Sequence, residues 1–405
     1  SLVASSRRVR EDARRGFQSS EMARVALISM CLLAVESASR PPVVGIVSSP
    51  LKLPGAQSFD GLSWIWSTYV ESLHDAGASV VPLVPQAGRE ALLDTLQHVD
   101  AVLWTGGEDD SGVHGATYPD IMMDSLQAIY QYVSKTKLPL WATCQGFQAL
   151  CVLASEDPSV VVPTYGTLGT AVALQFTQEA HQSRLLKDAP ETVFLELGRR
   201  NSTLNFHSYG VLTDSFHLVK GFQVLATDVD AHGQTFASLM EHQDLPIFAA
   251  QFHPELYYFL DPQKAATAEP AIHRAIEANS YFMHYFVKEA MKSQNASHEA
   301  VRPIDDYPIS YPPLGIFGSA AGELFLGKTL RGYVFNHTRP VTAEELEAKV
   351  VALQRQGNGL LGPVDGPWLA RFTVAAVALL TAAIVSRVLR RPLPKGVSEP
   401  LLASP

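Results

Sequence analysis

Apolar runs and amphipathic stretches alternate along the first part of the chain. Apolar runs at 43–49, 79–85, 100–107 and 138–144 predict strands, and helical spacing of apolar positions predicts helices at 63–77, 91–99 and 120–136. Strands that alternate with helices of this length pair in parallel, with helices on both faces of the sheet. Ligands bind such sheets beyond the carboxyl ends of the strands. Gly106, Gly107 and Cys144 fall at these ends.

After Asp157 the pattern changes to shorter, strand-like pieces. These lie at 161–166, 170–177, 222–230, 236–242 and 246–255, and a long helical pattern at 271–293 follows them. We therefore predict a three-layer α/β domain over 40–293 with a mostly parallel sheet. The segment 294–366 is richer in Pro and Gly and lacks a clear period, which favours a linker.

Both ends of the chain have the pattern of targeting segments. From Met22 a short basic start precedes an apolar run and small residues, which predicts that 1–39 is an extension with a signal peptide. The apolar stretch at 367–389 predicts a single transmembrane helix, and the basic residues after it predict a cytoplasmic tail over 390–405. A buried helix is the alternative for each run, but neither run has a polar face.

Sequons and cysteines bear on the compartment. Asn201, Asn295 and Asn336 each begin an N-glycosylation sequon, in agreement with a secretory route to a lysosome, a vacuole, the cell surface or the medium. One cysteine leaves with the signal peptide. Cys144 and Cys151 lie too far apart along one predicted helix to form a disulfide. The mature chain is therefore expected to keep a free thiol in an oxidising compartment.

Composition and charge exclude one class of partner. The chain has 405 residues, of which 47% are hydrophobic and 18% charged, with a formal net charge of -9. This composition is that of a globular protein. The acidic balance, with no basic stripe interleaved with aromatic residues in the central region, argues against a nucleic-acid partner.

Three residues have the types and positions of a thiol-based catalytic triad. Cys144 stands where a predicted strand meets a predicted helix, and the helix dipole favours a thiolate there. His253 follows another apolar strand, and Glu255 stands two residues on, where it can orient the imidazole. A buried core cysteine and a structural histidine are the alternatives. The His-Pro-Glu setting at a strand end favours the catalytic interpretation.

The developing oxyanion of such a reaction needs two preorganised N–H donors. Gln145, the first residue of the predicted helix, supplies one amide, and Gly107 is the candidate for the second because backbone without a side chain approaches a substrate closely. An ordinary turn is the alternative for Gly106 and Gly107.

Four motifs together resemble those of one enzyme family. TCQGF at 143–147, TGG at 105–107, NFHSY at 205–209 and QFHPE at 251–255 resemble the motifs of gamma-glutamyl hydrolases. That family belongs to the class I glutamine amidotransferase-like superfamily, which has a flavodoxin-like α/β fold. The resemblance extends over 41–293 in order and spacing.

The resemblance implies a reaction and a role for each matched residue. It implies hydrolysis of γ-glutamyl bonds, as in folate (pteroyl) polyglutamates, through a thioester at Cys144. His253 would be the general base and acid, and Glu255 would orient it. His207 would lie near the glutamyl part of the substrate, with a buried histidine pinned by Asn205 as the alternative. No metal or organic cofactor is implied.

Two departures from the family pattern concern the substrate. Gln148 stands one helical turn past the nucleophile, where the family usually has a Glu that would pair with the α-amino group of the substrate. Ser63, Trp64 and Trp66 replace a Tyr-rich stretch before the first helix, so Trp64 and the turn glycine Gly106 are expected to line the substrate site. The reaction class is therefore expected to transfer better than the substrate.

Two other functions are compatible with the motifs. A glutamine amidotransferase-type glutaminase would use the same triad, although no synthetase domain accompanies it and a signal peptide argues against a cytosolic partner. A weak or inactive γ-glutamyl-binding protein of the lumen would keep the fold, and Gln148 leaves this alternative open. A homodimer is left open as the assembly.

Overall fold

A computed structural model describes residues 40–51, 61–107, 120–259, 269–293, 303–306, 332–336 and 339–342, with short pieces between 344 and 352. The predicted signal peptide, the sequon at Asn295, the predicted membrane span 367–389 and the predicted tail 390–405 lie outside these residues. Within the described ranges, no helix is both long and apolar enough to cross a bilayer. The elements given below lie within residues 1–351, one of two compact units in the chain.

The strands and helices follow one another in an α/β order. The strands are β1 (Val43–Val47), β2 (Ser49–Pro50), β3 (Leu62–Trp66), β4 (Ser79–Leu83), β5 (Ala101–Trp104), β6 (Leu140–Thr143), β7 (Val161–Pro163), β8 (Leu168–Val172), β9 (Gln175–Phe176), β10 (Thr203–Phe206), β11 (Tyr209–Val211), β12 (Phe222–Val229), β13 (Thr235–His242), β14 (Ile247–Ala250), β15 (Gly332–Asn336) and β16 (Arg339–Val341). The α-helices are α1 (Ser67–Asp75), α2 (Arg89–Leu96), α3 (Asp120–Thr136), α4 (Gln145–Ser155), α5 (Glu191–Arg199) and α6 (Glu269–Ser293).

The central sheet has eight strands in the order β4-β1-β5-β6-β14-β13-β12-β9. The strands from β4 to β14 pair in parallel, and β13, β12 and β9 extend the sheet by antiparallel pairing. Parallel strands need crossover helices, which explains why strands and helices alternate in the first half of the sequence. The prediction of a mostly parallel α/β sheet is confirmed.

Apolar side chains cover both faces of the sheet because neighbouring residues of a strand point to opposite sides. Trp104 and Ala142 belong to a core cluster that includes Leu126 of α3 and Phe147 of α4. On the opposite face, the ring of Trp141 lies 5.7 Å from that of Phe282 in α6. The strands are therefore buried on both sides, as their continuous apolar runs require.

One predicted helix is wrong in its first turn. The stretch 63–77 was predicted to be helical throughout, but β3 occupies Leu62–Trp66 and α1 begins only at Ser67. The tryptophans and Ile65 of this stretch suit a pleated strand, and β3 has strand partners on both sides, β2 and β15. Strands β7 and β8 overlap the strand-like pieces predicted at 161–166 and 170–177, whereas helix α5 and the strands β11 and β10, which pair with β7 and β8, were not predicted.

Part of the segment predicted to be a linker, 294–366, forms strands. β15 pairs antiparallel with β3 along its whole length, from Gly332 opposite Trp66 to Asn336 opposite Leu62, and β16 pairs with β15. β15 and β3 are far apart in the sequence, so their pairing leaves no periodic pattern of apolar residues near either strand. The sequence pattern therefore did not reveal this pairing. The four-stranded sheet β16-β15-β3-β2 supports the strand that carries Trp64 and Trp66.

Replacing Phe335 with Ala is expected to lower the free energy of unfolding by about 3–5 kcal/mol, because its side chain is fully buried and would leave a cavity. Denaturant unfolding followed by circular dichroism measures the change. Arg339→Ala, on the neighbouring strand, is the control, since its ion pair with Glu345 is exposed to solvent and contributes little to stability. Equal stabilities of the two variants would contradict a structural role for β15.

Candidate active site

Cys144 lies on a strained turn between β6 and α4. Its backbone dihedral angles are φ 53° and ψ -108°, a conformation that residues with a side chain rarely adopt. The turn is tight because Gly146, two residues on, packs against β5: a Cβ there would lie 3.0 Å from the carbonyl oxygen of Thr105 and from Trp104 Cβ. The Cys-Gln-Gly sequence thus holds the thiol at the carboxyl edge of the sheet and at the start of a helix.

His253 and Glu255 form a buried pair immediately after β14. His253 Nδ1 donates a hydrogen bond to Glu255 Oε1 at 2.7 Å, and the two side chains are 3% and 1% exposed. Pro254 begins a 3-10 helix over Pro254–Phe259, so the contact between His253 and Glu255 arises within a turn. Because Nδ1 is bound to the carboxylate, Nε2 is the nitrogen available to a neighbouring thiol.

The imidazole and the thiol flank the same glycine. A Cβ on Gly106 would lie 2.9 Å from His253 Cε1 and 3.3 Å from Cys144 Cβ. Burial alone would lower the pKa of His253, but Cys144 and Glu255 outweigh burial and raise that pKa to about 10. The histidine is therefore an imidazolium at neutral pH, and the side chain of Cys144 lies beside it.

Aromatic rings enclose the imidazole. The ring of Trp66 stacks on His253 with centroids 6.1 Å apart, and Phe206 approaches it edge-on at 6.5 Å. An indole face at this separation favours a cation. Trp64, which the sequence suggested as a substrate residue, is buried, and its ring centroid lies 5.0 Å from that of Trp66. Trp66 is therefore the tryptophan whose ring lies against His253.

The glycine turn after β5 is fixed from two sides. Gly106 N–H donates to the hydroxyl of Tyr69 at 2.8 Å, and the hydroxyl of Ser49 donates to Gly106 O at 2.7 Å. The amide of Gly106 is thus engaged, which leaves the amide of Gly107 as the donor from this turn. A side chain on Gly107 would collide with Oε1 of Gln145, so the two residues proposed for the oxyanion site are adjacent.

Tyr69 is a site residue that the sequence did not reveal. It is fully buried on α1, and burial, together with the nearby carboxylate of Glu255, raises the pKa of its phenol well above the usual value. The phenol is therefore neutral, accepting from Gly106 and keeping its own proton beside Glu255. The signal in the sequence was a single tyrosine, three residues after Trp66, on the buried face of a helix.

His207 and Gln148 lie together on the other side of the thiol. His207 Nδ1 is 2.9 Å and Gln148 Nε2 is 2.7 Å from one acceptor, the carbonyl oxygen of Tyr209. Cys144 Sγ lies 3.7 Å from the carbonyl oxygen of Phe206, the residue before His207. The structure therefore brings both sequence-selected residues next to Cys144.

The remaining sequence-selected residues lie elsewhere. Cys151 is fully buried on α4, and burial raises the pKa of its thiol well above the usual value. Asn201 is exposed, and Asn336 is partly buried at the end of β15. Within the part of the chain that the structure describes, no group of three or more His, Cys, Asp or Glu side chains is arranged to hold a metal ion.

The fold and the site define an α/β protein with a cysteine-histidine-glutamate arrangement at the carboxyl edge of a mostly parallel sheet. The sequence profile of the Peptidase C26 family matches residues 42–255, which is more than half of the chain. The chain belongs to the Peptidase C26 family, and the enzyme class predicted from its motifs, gamma-glutamyl hydrolase, is confirmed.

Two gamma-glutamyl hydrolases agree with this assignment. Gamma-glutamyl hydrolase B of Dictyostelium discoideum is 29% identical over 274 residues, which cover 65% of this chain and 76% of that protein. Gamma-glutamyl hydrolase of Rattus norvegicus is 28% identical over 265 residues, covering 64% and 81% of the two chains. The solved glutaminase domain of Trypanosoma brucei CTPS with bound acivicin superimposes with a TM-score of 0.41 at 14% identity, covering 63% of this chain and 96% of that one.

Proposed function

We propose that the protein hydrolyses the γ-glutamyl bonds of pteroylpolyglutamates through a thioester on Cys144. The observation that carries the proposal is the buried His253–Glu255 pair, which shares Gly106 as a neighbour with a thiol on a strained turn. Membership of the family supports cleavage of a γ-glutamyl bond, and the resemblance of the motifs supports a folate substrate.

In the first half of the reaction, the Cys144 thiolate attacks the γ-carbonyl carbon. A C–S bond forms, and the negative charge that develops on the carbonyl oxygen is stabilised by the amides of Gly107 and Gln145. When the oxyanion collapses, the C–N bond breaks, and the His253 imidazolium gives its proton to the leaving nitrogen. The products are an amine and a thioester, with His253 now neutral.

In the second half, water replaces the amine. Neutral His253 takes a proton from the water as its oxygen bonds to the thioester carbon, and Glu255 stabilises the imidazolium that forms. The C–S bond then breaks, and the sulfur leaves as a thiolate. The net reaction adds one water to one γ-glutamyl amide, and the enzyme returns to its thiolate–imidazolium state.

Product analysis tests this proposal. The protein is incubated with pteroylpentaglutamate from acidic to neutral pH, and glutamate, γ-glutamyl peptides and shortened pteroylglutamates are identified by mass spectrometry. We expect shortened folates with the wild-type protein and none with Cys144→Ala. If the wild type releases glutamate only from other γ-glutamyl peptides, the folate substrate is wrong. If it cleaves no γ-glutamyl bond, the proposal as a whole fails.

Tyr69→Phe is expected to lower kcat by about 10- to 100-fold, because the buried Gly106 N–H loses its acceptor and Glu255 loses a neighbouring hydroxyl. We expect KM to change less than kcat, since Tyr69 positions the turn and does not contact substrate. Steady-state kinetics on a γ-glutamyl substrate measures both.

Tyr281→Phe is the matched control for this variant. Its phenol also bonds a backbone group, the carbonyl oxygen of Leu185 at 2.6 Å, but on α6 away from the triad. It is expected to lose stability without losing kcat. Equal kcat values for the two variants would refute a positioning role for Tyr69.

We also propose a location in the secretory pathway, with the catalytic domain in the lumen and a single anchor over 367–389. The sequence pattern of both ends and the exposed position of Asn201 support it. Digestion with an endoglycosidase after expression in eukaryotic cells is expected to increase the electrophoretic mobility. If digestion changes the electrophoretic mobility of neither the wild type nor Asn201→Gln, the result counts against glycosylation at Asn201.

A further inference from the structure

Strand β15 is connected to the active site although it lies outside the residues that the family profile matches. That profile covers residues 42–255, whereas β15 is formed by Gly332–Asn336. β15 pairs along its whole length with β3, and β3 carries Trp66, whose ring stacks on the imidazole of His253. A strand from the end of the chain therefore supports a residue that contacts the triad.

The pairing of the two strands is closest at a glycine. Gly332 is the residue of β15 that lies opposite Trp66. A Cβ on Gly332 would lie 2.8 Å from the carbonyl oxygen of Ile65 and 3.7 Å from Cε3 of Trp64. The first distance is shorter than a carbon atom tolerates, and a backbone oxygen cannot rotate away as a side chain can. Gly332 thus lets β15 approach β3 more closely than a residue with a side chain would permit.

Two tryptophans of β3 link the strand pair to the imidazole. Trp64 and Trp66 are two residues apart, so they lie on the same face of β3, and their ring centroids are 5.0 Å apart. The ring of Trp66 is inclined by only 27° to that of His253, with centroids 6.1 Å apart. Both tryptophans are buried. In a close-packed interior, a shift of β3 is therefore transmitted to the indole that lies against His253.

The electrostatic surroundings of His253 favour a cation. Burial lowers its pKa, but Cys144 and Glu255 raise it to about 10. Tyr69 and His207 are two further titratable groups of this cluster, and both are neutral. Burial raises the pKa of Tyr69 well above its usual value and lowers that of His207 to about 3. The indole adds no charge, but its π electrons attract a cation on its face.

We propose that Trp66 is a positioning residue for His253 and that β15 holds Trp66 in place, so that a strand outside the family domain is a working part of the active site. The indole keeps the imidazole in one orientation and favours its protonated form. That form is present in the resting thiolate–imidazolium state, and it arises again when water attacks the thioester. The inference rests on the proposed function, since it assigns Trp66 to the same reaction.

Histidine NMR tests the role of Trp66 without a substrate. Trp66→Leu keeps an apolar side chain but removes the π face, and Trp66→Phe restores an aromatic ring. The full chain is labelled with ¹⁵N in its histidine side chains, and the signals of His253 are recognised by their absence in His253→Gln. We expect the pKa of His253 to fall by about one pH unit in Trp66→Leu, and by less in Trp66→Phe.

Kinetics on a γ-glutamyl p-nitroanilide test the role of β15. Trp66→Leu is expected to lower kcat by about threefold to thirtyfold, the loss that corresponds to a cation–π contact. Gly332→Ala places a methyl group against the backbone of Ile65 and is expected to lower kcat within the same range. If β15 acts through Trp66, adding Gly332→Ala to Trp66→Leu changes kcat by less than about twofold.

Gly198→Ala is the control for an overcrowded glycine. A Cβ on Gly198, in α5, would lie 3.2 Å from the ring of Phe176, so the strain falls on β9 and not on β3. This variant is expected to lose stability without losing kcat. Losses of kcat that add in the double variant overturn the role of β15. A titration of His253 that Trp66→Leu leaves unchanged, or that Trp66→Phe does not restore towards wild type, overturns the role of Trp66.

Failure of the proposed function gives a different result. If the wild type cleaves no γ-glutamyl bond, the function fails, and the titration of His253 in Gly332→Ala replaces the kinetic comparison. A lower pKa of His253 in both Trp66→Leu and Gly332→Ala, with no change in Gly198→Ala, supports the connection from β15 to the imidazole. An unchanged pKa in either of the first two variants overturns it.

Discussion

Cys144→Ala is expected to lower kcat for γ-glutamyl hydrolysis by about 10⁶-fold, the magnitude seen when a hydrolase loses its covalent nucleophile. The thiol stands on the strained turn after β6, and the imidazole of His253 flanks the same glycine, Gly106. Initial rates with a γ-glutamyl p-nitroanilide at high enzyme concentration measure the loss, and circular dichroism verifies that the variant is folded.

Cys151→Ala is the matched control for this variant. Cys151 is a second buried thiol, on the helix that follows Cys144, and burial raises the pKa of this thiol well above the usual value, so it should be inert. Its removal is expected to change kcat less than about twofold. Iodoacetamide at mildly acidic pH should likewise modify Cys144 and spare Cys151. Preferential labelling of Cys151, or full activity of Cys144→Ala, would refute the assignment.

Glu255→Gln is expected to lower kcat/KM by about 10²- to 10⁴-fold, as loss of the orienting carboxylate does in related triads. Glu255 fixes the proton of His253 on Nδ1 and, with Cys144, raises the pKa of His253 to about 10. An amide in its place removes the negative charge. The pKa of His253 should therefore fall, and the imidazolium should be lost at a lower pH.

The pH profile of kcat/KM distinguishes this role from a structural one. In the wild type Cys144 and Glu255 raise the pKa of His253 to about 10, so the basic limb of the profile is expected near that pH. In Glu255→Gln the basic limb is expected to move to lower pH, by more than one unit. Glu156→Gln, the same substitution at an exposed residue after α4, should leave the profile unchanged. A basic limb at the same pH in all three proteins would contradict the proposed pairing.

The elements that carry the candidate site were predictable because they depend on short, local patterns. An apolar run that ends at Cys144, with Gly146 allowing close packing against β5, specifies the turn without long-range information. His253 and Glu255 are close in sequence, so almost any compact backbone brings them together. The parallel sheet followed from the same alternation of runs, since buried strands and crossover helices both have strong signatures.

What the sequence did not reveal depends on contacts between distant residues. β3 was taken for a helix because its strand partner β15 lies more than 260 residues further along the chain. Tyr69 could not be connected with Gly106 before the fold had placed α1 beside the glycine turn. The orientation of the Gln148 amide likewise depends on its hydrogen bonds to Tyr209 and Gln251, which are distant from it in the sequence.

The most direct test of the central claim is to isolate the covalent intermediate. The protein is mixed with a γ-glutamyl p-nitroanilide, quenched with acid within milliseconds to seconds, digested and analysed by mass spectrometry. We expect the mass of the glutamyl acyl group on the peptide that contains Cys144, and its loss after treatment with hydroxylamine, which cleaves thioesters. An acyl group on any other residue, or turnover without an adduct together with full activity of Cys144→Ala, would contradict the account.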